Sequence, residues 1–220
     1  MKTLVIAPHP DDEILGCGGT MLRRRAEGGT LAWLIVTKIS LDDGWPEAMI
    51  QERKKEVSKI GEFVGFNKIY NLDLPAAKLD TLPIQELVDK FSEVFRDFQP
   101  EEVLLPHCSD VHTDHRIVFN AVAACCKWFR YPSVKRVLAY ETISETDFGL
   151  DQTESFKPNF YIDISPYIDI KMELMSIYQS EMGDFPFPRS ARAIRAQASL
   201  RGMASGCDSA EAFQLLKEIT

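Results

Sequence analysis

The 220-residue sequence predicts an α/β fold: a Rossmann-like, mostly parallel sheet flanked by helices, with its ligand site at the C-terminal ends of strands 1 and 4. Three observations carry this. Short continuous apolar runs, as buried parallel strands require, recur along the chain. Stretches of helical spacing alternate with them, the pattern of βαβ units with right-handed crossovers. Dense clusters of His and Asp fall directly after the first and fourth of these runs.

The elements follow in order. Leu4 to Ala7 is the first strand, and Leu15 to Ala26 a helix closed by Gly28-Gly29. Leu31 to Thr37 is the second strand. After a turn-rich loop holding Trp45, Glu47 to Val64 reads as an amphipathic helix with Val57, Ile60 and Val64 inward. Lys68 to Leu72 is a short third strand. Pro83 suits a helix start, and apolar spacing continues from Ile84 to Phe98. Glu102 to Pro106 is the fourth strand, and Asp114 to about Phe129 the helix after it. Val134 to Tyr140 and Phe160 to Ile164 are further strands, separated by a polar stretch from Ser144 to Lys157. Ile168 to Met182, Ser190 to Ala204 and Ser209 to Ile219 read as closing helices. No repeat or linker interrupts residues 1–220, so one domain is expected. In Rossmann-type order, strand 1 lies beside strand 4, and ligands sit beyond their carboxyl ends.

Composition narrows the function. A formal net charge of −8 argues against a broad nucleic-acid or anionic-membrane surface. It leaves room for a small substrate held by local arginines. Met1-Lys2 leads into too short an apolar run for a secretory signal, and no run is long enough to span a membrane. Five cysteines without a CxxC pair suit reduced thiols in the cytoplasm. Oligomeric state is left open, a homo-oligomer included.

The chemistry concentrates in two places. His9-Pro10-Asp11-Asp12-Glu13 follows the first strand, and His112-Thr113-Asp114-His115 follows the fourth. Three of the four histidines fall between 107 and 115. Carboxylates crowded into one turn repel each other unless a positive partner sits among them, and a divalent metal is the simplest. Imidazole and carboxylate suit zinc, whose catalytic sites carry three protein ligands. Gly16-Cys17-Gly18-Gly19 lacks phosphate-loop spacing and reads as a place of close helix–sheet packing. His107 reads as a loop or supporting group.

Together the two motifs resemble those of the PIG-L/LmbE family of metal-dependent N-deacetylases. Arg53 with Glu56, Asp110 leading into His112, Tyr161-Ile162-Asp163 and Arg201-Gly202 resemble further landmarks, so the likeness spans most of the chain. Pro8, between Ala7 and His9, departs from the commoner Ala-His-Pro opening and removes no ligand. The resemblance implies that His9, Asp12 and His115 bind Zn2+, with Fe2+ an alternative. Asp11 would be the general base. His112, protonated, would stabilise the oxyanion and protonate the leaving amine. Asp114 would orient His112 and raise its pKa. Arg53 and Asp110 are carried as substrate-binding residues, Asp110 having helix capping as its second reading. The implied substrate is an N-acetylated amino sugar of the N-acetylglucosamine type, or its conjugate. Two rival readings stand beside this one. Two histidines and a carboxylate also describe non-haem iron enzymes, and the Rossmann-like crevice also suits a non-catalytic nucleotide- or sugar-binding module.

Overall fold

The structure, a computed structural model, describes residues 1–150 and 152–220. Five parallel strands form most of one sheet: β1 (Lys2–Ala7), β2 (Thr30–Lys38), β3 (Lys68–Pro75), β4 (Glu102–Pro106) and β5 (Arg136–Tyr140). Two more, β6 (Phe160–Asp163) and β7 (Ala210–Glu218), complete the order β3-β2-β1-β4-β5-β7-β6, with β7 antiparallel to both neighbours. The helices are α1 (Asp12–Ala26), α2 (Glu47–Val64), α3 (Ile84–Phe98), α4 (Thr113–Ala124), α5 (Ile168–Met175) and α6 (Ala191–Ser205). Within the polar connection from Ser144 to Lys157, Asp151 lies outside the described residues.

Side chains alternate across the sheet and create two cores. Val5 and Ala7 of β1 join Trp33, Leu104 and Leu138 under α1, α2, α5 and α6. Leu4 and Ile6 face the other way, joining Leu34, Val103 and Val137 under α3 and α4. Central strands buried on both faces explain the continuous apolar runs. They also set β1 beside β4, as the fold class requires.

Three expectations need correction. The segment Ser209 to Ile219 is not a helix; most of it forms β7. Its Ala, Glu, Leu and Lys favour helix intrinsically, but propensity is a weak prior. The gap between β5 and β6 offers hydrogen-bond partners on both sides, and Ala212 and Phe213 are buried there. The helix expected to reach Met182 stops at Met175, and that expected to reach Phe129 stops at Ala124.

The glycines after the first motif do permit close packing: a Cβ on Gly16 would run into the Tyr140 ring. Helix α1 kinks at Cys17 (φ −148°, ψ 24°). The break strands a carbonyl and two amides, and a buried ion pair meets them. Lys171 Nζ donates to Leu15 O (2.8 Å) and to Glu211 Oε1 (2.7 Å), while Glu211 accepts from Gly19 N (2.9 Å) and Thr20 N (2.7 Å). Lys171→Met leaves Glu211 buried and unpaired, so we expect a loss of about 3–5 kcal/mol. Urea denaturation checks this, and adding Glu211→Gln should recover part of the loss.

Candidate active site

The turn after β1 is built around one unusual backbone. Asp11 adopts φ 132°, ψ −31°, a region L residues rarely enter; such strain costs of order 1–3 kcal/mol and clusters at functional sites. Its neighbours hold it there. Asp11 N–H donates to Glu13 Oε2 (3.1 Å), and Glu13 Oε1 accepts from the Tyr178 hydroxyl (2.8 Å). Asp11 O accepts from Ile14 N and Leu15 N at 3.0 and 2.9 Å, which starts α1. Glu13 and Tyr178 are fully buried.

Strand order brings the second motif to this turn. The ring centroids of His9 and His112 are 4.5 Å apart, those of His9 and His115 5.4 Å. His9, Asp12 and His115 each offer one atom to a common point, all within 4.8 Å of one another. Asp12 Oδ2 lies 3.4 Å from His9 Nδ1 and 3.2 Å from His115 Nε2. The opposite nitrogens are held from behind. Asp114 Oδ2 meets His9 Nε2 at 3.1 Å, and Asp110 Oδ2 meets His115 Nδ1 at 2.8 Å. An outer carboxylate on each imidazole fixes tautomer and ring orientation, as in metal sites. His115 Nε2 is buried and hydrogen-bonded to nothing among the described residues. A metal ion would satisfy that nitrogen, so the residues present fit one. His9, His112 and Asp114 form an overlapping group, but Asp114 Oδ2 already accepts from Ala77 N (2.7 Å).

These contacts correct two assignments. Asp110 does not face substrate. It is fully buried and spends its oxygens on His115 and on the Thr146 hydroxyl (2.6 Å). Asp114 does not orient His112 through its carboxylate, which ties His9 to the loop amides of Ala77 and Leu79. Only its backbone N–H reaches His112, donating to Nδ1 at 3.1 Å. We expect Asp110→Asn to weaken metal affinity about 10–100-fold, read by metal titration against a competing chelator.

Electrostatics sort the groups further. Burial opposes charge on His9, but Asp114 and Asp12 outweigh it and raise its pKa to about 9. His115 behaves alike, raised by Asp12 and Asp110 against burial. Burial also penalises charge on Asp12, yet both histidines hold its carboxyl far below the usual range. Burial, with Asp12 and Glu181 alongside, pushes Asp11 well above it, against Arg189 and Arg53. His112, expected to be protonated, is shifted in the opposite direction. Burial and then the charges on His9 and His115 pull it down to about 4, and Asp114 raises it too little to compensate.

The group opens into a cavity of about 590 Å³, whose lining includes Asp11, Arg53, His112, Glu145 and Arg189. Arg53 lines this cavity. It donates to Pro10 O (2.5 Å) and pairs with Glu181 and, at 3.2 Å, Glu56. Arg189 was not legible. It stands alone after Pro188, in no motif, yet its Nη1 lies 3.6 Å from Asp11 Oδ2 and its Nη2 3.2 Å from Glu181. Glu145 was missed likewise, its connection carrying no pattern. His107 is buried and bonded to Gln214 (2.9 Å) and Ser109 (2.8 Å).

Comparison with known proteins addresses the family and the fold. A family model described as PIG-L, GlcNAc-PI de-N-acetylase, matches residues 4–126, more than half of the chain. The diacetylchitobiose deacetylase of Thermococcus kodakarensis is 27% identical, over 99% of this chain and 84% of that one. The solved structure of a conserved protein from Thermus thermophilus, TT1542, is 28% identical with a TM-score of 0.79, covering 99% of this chain and 96% of that one. GalB of Pseudomonas putida, a 4-carboxy-2-hydroxymuconate hydratase, superposes at a TM-score of 0.74 with 18% identity, over 100% and 98% of the two chains. That last likeness shows the fold alone, because one fold hosts several chemistries. With the family model spanning both histidine motifs, the chain belongs to the PIG-L family of de-N-acetylases.

Proposed function

We propose that this protein is a metal-dependent hydrolase that removes the acetyl group from an N-acetylated amino sugar of the N-acetylglucosamine type, or from a conjugate of one. Acetate and a free amine are the products. The observation that carries the reading is the convergence of His9, Asp12 and His115, whose buried Nε2 makes no hydrogen bond and lies 3.2 Å from Asp12 Oδ2, beside Asp11 and His112. Two imidazoles and a carboxylate fit zinc, and Fe2+ takes the same donors. Bound there, the ion lowers the pKa of water towards ~7 and polarises the amide carbonyl.

The remaining tasks fall to side chains of this protein. Asp11, held in place through Glu13, takes a proton from the attacking water and returns it to the amine nitrogen as the C–N bond breaks. His112 Nδ1 accepts from the Asp114 amide, so the neutral ring carries its proton on Nε2. That N–H donates to the developing oxyanion without the ring being charged. Arg53 has five donors, and the one not spent on Pro10, Glu56, Ser180 and Glu181 serves a substrate oxygen.

Among the described residues no helix is long and apolar enough to cross a membrane. All five cysteines are free, as thiols in the reducing cytoplasm are, and a cytoplasmic setting and a small-molecule substrate belong to the same proposal. Amine release from N-acetylglucosamine and its glycosides, with and without chelator, tests it. Full turnover after complete metal removal would sink the reading, and so would oxygen consumption with a 2-oxo acid in place of amine release.

A further inference from the structure

The backbone of Asp11 is fixed by Glu13 and by the start of α1, but its carboxylate is not. Among the described residues that carboxylate makes no hydrogen bond. Its one ion pair there is with Arg189, whose Nη1 lies 3.6 Å from Oδ2; contacts in an unliganded catalytic site are often this loose. Arg189 is itself held from several sides. Its Nη2 pairs with Glu181 at 3.2 Å, and its guanidinium lies 5.6 Å from the Phe187 ring centroid. Glu181 also pairs with Arg53, which donates to Pro10 O (2.5 Å). The contacts thus close a ring, from Pro10 through Arg53, Glu181 and Arg189 back to Asp11. Each arginine in it meets its two partners with separate nitrogens, which lysine cannot do. Two simpler roles fit less well. The segment does not need Arg189 to tie it down: Ser190 is buried, its N–H donates to Phe187 O (3.0 Å), and its hydroxyl accepts from Ala193 N (3.2 Å) as the cap of α6. Nor is Arg189 poised for substrate, since both terminal nitrogens face carboxylates and Nε is buried.

We infer that Arg189 is a positioning residue for the base: its guanidinium holds the Asp11 carboxylate in the rotamer that meets the attacking water, and Glu181 holds the guanidinium. This rests on the deacetylase reading above. An aspartate side chain turns about two bonds, the second of them with broad preferences, so a fixed backbone positions it only in part. The ring of contacts supplies what the turn after β1 leaves free.

The test measures amine release from N-acetylglucosamine and its glycosides by metal-loaded wild type, Arg189→Met, Asp11→Asn and the double variant, with the metal content of each. Methionine keeps much of the arginine stem without the charge. Arg189→Met should lower kcat about 10²-fold, the cost of a reacting group misplaced by roughly 1 Å, with KM and metal content unchanged. In the Asp11→Asn background the same substitution should cost less than about twofold, because Arg189 acts through a carboxylate that is no longer there. If Arg189→Met does not fold, Arg189→Lys carries the same comparison. Its single nitrogen cannot serve Asp11 and Glu181 together, so kcat should fall only where Asp11 is intact. Equal losses in both backgrounds, or a raised KM with kcat kept, would assign Arg189 to the substrate and overturn the inference. Unchanged kcat or lost metal would overturn it too. Each of these results, in a wild type that releases amine, sinks the positioning role alone. No amine release by the wild type sinks the deacetylase reading, and the positioning role with it.

Discussion

Asp11→Asn should lower kcat for amide hydrolysis about 10²–10⁴-fold, the contribution of a positioned base, while metal content stays at the wild-type level. The geometry supports this separation of effects. Asp11 is adjacent to Asp12 in sequence, but Asp12 Oδ2 converges on His9 and His115 whereas Asp11 lies beside Arg189. Asparagine is nearly isosteric and keeps the strained turn, whose hydrogen bonds run through backbone atoms and Glu13. It cannot accept and return a proton. Paired measurements of bound metal and single-turnover amine release check the prediction. A variant with full turnover would remove Asp11 from the chemistry, and one that loses its metal would move Asp11 into the ligand set.

His115→Ala should behave differently, losing both metal and turnover. Removing a carboxylate that merely supports a ligand costs about 10–100-fold in affinity, and removing the ligand itself should exceed the upper end of that range. The substitution also leaves Asp110 buried without its imidazole partner, so a stability loss of about 1–3 kcal/mol should accompany it. Chelation of the wild-type protein should reproduce the loss of turnover without the change in sequence, and restored metal should reverse it. Elemental analysis, thermal denaturation and amine release together separate these effects. Retention of stoichiometric metal by a folded His115→Ala protein would reassign the site to the overlapping group of His9, His112 and Asp114.

A non-catalytic binding module would need none of this. It would tolerate Asp11→Asn, and it has no use for two imidazoles each held from behind by a carboxylate. The proposed hydrolysis uses each of these parts.

Much of the site was legible because its chemistry is local. His9, Asp11 and Asp12 lie in one turn, and His112 to His115 in another. The buried runs that ended at those turns showed that both sit at strand ends. Arg189 and Glu145 were not legible, because nothing in their local sequence distinguishes them from surface charges. They join the cavity lining only where distant loops meet over β1 and β4. The assignment of Asp110 as a substrate contact failed for a related reason. A carboxylate near a histidine motif can point into a crevice or away from it, and spacing does not say which.

By itself, the sequence determined which donor types exist, which strands carry them, and that those strands meet at the centre of a parallel sheet. These follow from residue identity and hydrophobic period, which are properties of short stretches. The tertiary structure decided the pairings: Asp114 behind His9, Asp110 behind His115, Glu211 with Lys171, and a last segment paired between β5 and β6 instead of coiled as a helix. Such choices depend on which buried polar group lies within about 3 Å of which other. Unpaired groups in the interior are costly enough to override local preference. Partners separated by 105 residues, as His9 and Asp114 are, meet only once the chain has folded.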